Sequence, residues 1–133
     1  MTDVNLLAVG VAALSSFLLG GLWYSPVMFL ESWAKESGLD PRTNEKGRHP
    51  ALVFGLAFVL AVIAAYLLSV LLGPNPGLSK ALCYGLTVGL GFVGGSFGIN
   101  YVFGGNSLKL WLINAGYHTV QFILYGLVFG LWP

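Results

Sequence analysis

Asn114, His118, Gln121 and Tyr125 bring an amide, an imidazole, a second amide and a phenol into one short stretch, NSLKLWLINAGYHTVQFILYGLVFGLWP. Their offsets of 0, 4, 7 and 11 put them on one narrow stripe of an α-helix. Grouped like this, they can hydrogen-bond one another, line a polar path, or offer the imidazole to a metal or a haem. In hydrocarbon such groups need partners, so the stripe must face protein or water rather than lipid.

The helix that carries them belongs to a strongly apolar chain. Of 133 residues, 56% are apolar and 8% charged. A soluble domain carries about 25% charged residues, so lipid is expected to be the main solvent. Four apolar runs are each near the ~20 residues that cross ~30 Å of hydrocarbon. They cover about residues 4–24, 51–72, 81–103 and 108–132. The fold class expected is all-α: a single four-helix transmembrane domain over residues 1–133. The apolar run after MTDVN is too long for a signal h-region and is expected to stay as an anchor.

Residues 25–50 hold most of the charge, and a short amphipathic helix is expected from about Pro26 to Ser37, capped by Ser25 and stopped by Gly38. Phe29, Leu30, Trp33 and Ala34 share one of its faces; Glu31, Ser32, Lys35 and Glu36 share the other. It is too short to span and should lie along the membrane surface, with Trp23 and Tyr24 in the interfacial belt. The run from Leu39 to Arg48 reads as a polar loop, and His49-Pro50 as the entry to the second span. Lys35, Arg42, Lys46, Arg48 and Lys109 lie on one side of the spans against Lys80 on the other. That asymmetry makes the 25–50 loop cytoplasmic and both termini extracytoplasmic.

Small residues mark where the helices approach. Asn5, Ala8, Ala12, Ser15, Ser16 and Gly20 fall along one side of the first span. After the break GPNPG, with Ser79 the expected cap, the third span sorts by α-helical phase into two faces. Gly85, Gly89, Ser96 and Asn100 form one; Gly91, Gly94, Gly95 and Gly98 form the other. The turn GGNS forces the third and fourth spans into an antiparallel hairpin. Asn100 then reaches the depth of Asn114, and Ser96 that of His118, giving an expected polar quartet that Gln121 and Tyr125 extend. His118 is expected to be uncharged, with Ser96 or Asn100 serving its ring nitrogens. Gly116, Thr119, Gly126 and Gly130 offer the fourth span a second close neighbour. Such surplus glycine faces point to a homodimer, a higher oligomer or a larger membrane complex, with Gly94 or Gly126 at the contact.

GLWYSP followed by Phe29 and Trp33, then three further spans ending in an aromatic, glycine-rich helix, resembles the bacterial membrane family known as domain of unknown function 1761. The resemblance covers nearly the whole chain and implies a four-helix protein of the cell inner membrane. It supplies no activity. No span contains Asp or Glu, so the embedded glutamate of small multidrug transporters is missing.

The remaining chemistry is narrow. A single cysteine, Cys83, rules out an intramolecular disulfide and reads as a small buried hydrophobe. No HExxH, GxSxG or carboxylate pair is present, so neither a metalloprotease nor a serine hydrolase has its parts. A net charge of +1 gives no reason to expect nucleic acid. The expected role is that of a structural, accessory or self-assembling membrane protein, without a cofactor. The alternatives are a channel or carrier lined by Asn100, Asn114, His118 and Gln121, or a haem, pigment or metal subunit held through His118.

Overall fold

The computed structural model describes residues 4–39 and 49–133. Among these residues the chain is all-helical. Four helices are long and apolar enough to cross a membrane: α1 (Leu6–Trp23), α3 (Pro50–Leu72), α4 (Leu78–Gly104) and α5 (Leu108–Leu131). Between the first two lies α2 (Leu30–Ser37). The polar loop expected from Leu39 to Arg48 falls, from Asp40 onward, outside the described residues.

Local chemistry explains the boundaries. Asn5 caps α1 by accepting from the Ala8 amide at 3.1 Å. His49 serves α3 in the same way, its Nδ1 taking the Ala51 amide at 3.0 Å, with Pro50 in the first turn. Gly38 ends α2 in the left-handed conformation, φ 75°. Two expected caps fail. Ser25 donates to the Leu22 carbonyl and residues 25–29 form turns, so α2 starts at Leu30 rather than Pro26. Ser79 lies inside α4, whose cap is Gly77.

Ser107 caps α5 by accepting from the Leu110 amide at 3.1 Å, while its hydroxyl donates to Glu36 Oε1 at 2.5 Å. One side chain thus starts the last helix and moors α2 to it. Ser107→Ala is expected to cost about 1 kcal/mol, seen as an earlier unfolding midpoint in a denaturing-detergent titration, with Ser107→Thr close to wild type.

α5 is the centre of the bundle. In its most apolar window 39% of residues are buried, against 11% for α3. The packing of α4 on α5 is the most extensive in the molecule, followed by α1 on α5 and α1 on α3. α1 buries Ala8, Ala12 and Ser16, the small-residue side anticipated from sequence. Residues 51–60 of α3 are all exposed, and Ala61, Ala65, Leu68 and Leu72 are buried. Cys83 is exposed rather than buried, because the close approach of α4 to α5 uses the side on which Gly85 lies.

The decisive departure from regular geometry is in α4. From Thr87 to Gly94 the helix opens into π-helical turns, which close through i→i+5 hydrogen bonds and add a residue to the turn. Every residue beyond that segment therefore faces about one position later than α-helical phase predicts. The expected sorting of glycines onto two faces is corrected accordingly. Gly85, Gly89, Gly94 and Gly98 all face α5. Gly91 and Gly95 look into open space.

Candidate functional site

The α4–α5 contact is close enough to be set by backbone. A Cβ on Gly85 would lie 2.4 Å from the Phe122 carbonyl oxygen, and one on Gly126 would lie 2.4 Å from that of Ala81. A Cβ on Gly89 would lie 2.8 Å from the His118 carbonyl oxygen, and one on Gly130 would lie 2.8 Å from Leu78 Cα. Gly94 faces Ala115, and Gly98 lies under the Trp111 indole, whose Nε1 donates to the Gly94 carbonyl at 2.9 Å. These six glycines thus pack within the chain. Neither Gly94 nor Gly126 is left free for the subunit contact expected of it.

The polar stripe of α5 comes together as two hydrogen-bonded groups. In the first, Asn114 Oδ1 accepts from the Tyr24 hydroxyl at 2.7 Å, and its Nδ2 donates to the Tyr101 hydroxyl at 2.8 Å. In the second, His118 Nδ1 lies 2.6 Å from Gln121 Oε1, and Gln121 Nε2 donates to the Tyr125 hydroxyl at 2.8 Å. That hydroxyl donates to the Ala61 carbonyl at 3.3 Å and lies 3.0 Å from Ser16 Oγ, which also bonds the Ala13 carbonyl. Three spans thus meet at Tyr125, which is fully buried. Because Gln121 Oε1 can only accept, it fixes the proton on His118 Nδ1 and leaves Nε2 with its lone pair.

Ser96 and Asn100 do not join this stripe. Both are exposed, and their expected places opposite His118 and Asn114 are taken by Phe97 and Tyr101. The π segment is the reason, since one added residue turns 96 and 100 outward and brings 97 and 101 in. Phe97 stacks on the His118 ring at 5.2 Å with planes 15° apart.

The residues expected in an interfacial belt split in the same way. Trp23 donates its indole N–H to the Ile113 carbonyl at 2.9 Å and packs on Phe29. Tyr24 bonds Asn114 and meets Trp33 edge-on. Pro26 is exposed in the turn. Trp23 and Tyr24 therefore anchor the end of α1 to α5.

Sequence reading missed Tyr101 and Tyr117 as partners. Tyr117 lies over Gly20 and donates to the Ser16 carbonyl at 3.1 Å. Their signal was available, because a phenol in an apolar span needs a hydrogen-bond partner as much as an amide does. Beside the stripe, a cavity of about 330 Å³ opens between α1, α3 and α5, lined by Phe17, Ala61, Ala64, His118, Gln121 and Phe122 among others. Among the described residues, no three His, Cys, Asp or Glu side chains are grouped to hold a metal ion.

No curated protein and no solved structure matches the chain. A family model, protein of unknown function DUF1761, matches residues 7–130. The match takes in the four long apolar helices but for Leu6 and Leu131, together with the whole hydrogen-bonded stripe of α5, and the chain belongs to the DUF1761 family.

Proposed function

We propose that the chain is a structural protein of the cell inner membrane that crosses it four times, keeps both termini extracytoplasmic, and assembles with a second copy of itself. The exposed surface of the four long helices supports membrane insertion: Leu6, Leu18, Phe54, Leu60, Phe92 and Val102 are among many large apolar side chains left uncovered. The Lys and Arg asymmetry supports the orientation. Internal pairing of Asn114, His118 Nδ1, Gln121 and Tyr125 along the α5 stripe supports a packed seam rather than a continuous solute path, since a path would leave most of those groups for water or cargo.

The observation that carries the assembly reading is the outward turn of Ser96 and Asn100. Ser15, Thr87 and Thr119 return their hydroxyls to carbonyls of their own helices. Among the described residues, the Ser96 and Asn100 side chains have no such bond. An amide facing lipid lacks the partners that water would give it, and a partner helix supplies them. Asn100 carries both donor and acceptor, so two copies can pair reciprocally across a two-fold axis. Gly91 and Gly95, which have open space above them, let the second helix come close.

Single-molecule photobleaching in dilute vesicles tests this. Two-step bleaching is expected for the native chain, and Gly95→Leu or Asn100→Leu should shift the balance toward monomer by about threefold or more. Single-step bleaching of the native chain at every protein-to-lipid ratio would contradict it.

A further inference from the structure

The cavity between α1, α3 and α5 has one chemically distinctive edge. Its walls are apolar and largely aromatic, from Phe17, Leu60, Tyr117 and Phe122, and its volume is opened by Ala57, Ala61 and Ala64, where larger side chains would fill it. Its polar edge is His118 with Gln121. The relay His118 to Gln121 to Tyr125 to Ala61 holds the ring proton on Nδ1, and Phe97 and Tyr117 clamp the ring plane at 5.2 Å and 4.9 Å. Nε2 has no hydrogen-bond partner among the described residues, yet no buried side-chain nitrogen or oxygen there is left unpaired. Nε2 is therefore not sealed inside protein; it reaches an accessible surface, and His118 is among the residues that line this cavity.

An apolar recess, open along Ala57 and Leu60, with one ring nitrogen offered as acceptor selects its occupant. A water molecule needs two to four polar partners to stay in such a place. A charged ligand would find no counter-charge, since none of the lining residues is acidic or basic apart from the imidazole. At about 330 Å³ the chamber is at the small end of ligand cavities. We propose that it binds a small, neutral, membrane-soluble phenol, whose ring lies between Phe17 and Phe122 and whose hydroxyl donates to His118 Nε2. The bond depends on a relay that the protein supplies in advance, so the acceptor is oriented before the ligand arrives.

The test uses the full chain in lipid nanodiscs with ¹⁵N-labelled histidine. In the native protein the position-118 ring should show Nδ1 protonated and Nε2 bare. Titration with 2-naphthol should move the Nε2 resonance saturably, and naphthalene, which lacks the hydroxyl, should bind weaker by about tenfold or more. Ala57→Leu, at an exposed position that leaves the fold intact, should abolish the response by filling the chamber; His118→Phe should reduce naphthol affinity to that of naphthalene. The proposal is overturned by a proton on Nε2, by equal affinity for the two probes, or by an Nε2 already bonded to water and indifferent to naphthol. Binding that survives both substitutions overturns it as well.

Discussion

Gly85→Ala and Gly126→Ala should each force α4 and α5 apart, at a cost of about 3 kcal/mol or more. The added methyl would stand 2.4 Å from a carbonyl oxygen of the opposite helix in both cases, Phe122 for Gly85 and Ala81 for Gly126. A flexible side chain could swing aside from such a clash; a helix backbone cannot. Relief therefore requires translation of a whole span, which also separates Phe97 from His118 and Tyr101 from Asn114. Gly91→Ala and Gly95→Ala are the matched controls, because a Cβ at either position meets nothing within 4 Å. Unfolding in a denaturing-detergent titration should show the first pair strongly shifted and the second pair unshifted. Equal behaviour of all four would mean that α4 does not pack on α5 as described.

The second large effect belongs to Tyr125. It is fully buried, and its hydroxyl links Gln121 on its own helix to Ser16 on α1 and Ala61 on α3. Tyr125→Ala removes both the ring and the junction, and about 3–5 kcal/mol of stability should go with it. Tyr125→Phe keeps the ring and separates the two contributions. Hydrogen bonds between membrane helices average about 0.6 kcal/mol and reach about 1.7 kcal/mol, so the phenylalanine variant should lose far less. Comparable losses in both variants would place the stabilisation in the hydrogen bonds rather than in packing.

Much of this arrangement was legible in the sequence because it depends on regular geometry. The four apolar runs are long enough to be unambiguous, and the stripe Asn114, His118, Gln121 and Tyr125 follows from α-helical periodicity, which α5 keeps throughout. The small side of α1 followed for the same reason. The partners of the stripe were not legible, because α4 breaks the periodicity on which phase reckoning depends. Across Thr87–Gly94 the added residue per turn brings Gly94 and Gly98 into line with Gly85 and Gly89, leaves Gly91 and Gly95 outside that contact, and exchanges Ser96 and Asn100 for Phe97 and Tyr101. The segment TVGLGFVG does carry a hint, since its glycines reduce the side-chain crowding that holds a helix to regular turns. The contacts of Trp23 and Tyr24 with α5 were not legible for a different reason. Aromatic residues at the end of a span suit a belt and a helix contact alike, and only the neighbouring Ile113 carbonyl and Asn114 amide reveal the contact.

The outward face of α4 is the foundation of the assembly reading, and a cysteine scan of residues 95–101 in native membranes tests it directly. Cys83 is first replaced by serine, because it is exposed on the same helix. Mild oxidation should then yield covalent dimers from Ser96→Cys and Asn100→Cys, while Phe97→Cys and Tyr101→Cys, turned toward α5, stay monomeric. Dimers from positions 97 and 101 in place of 96 and 100, or no dimer from any position in the scan, would contradict the account.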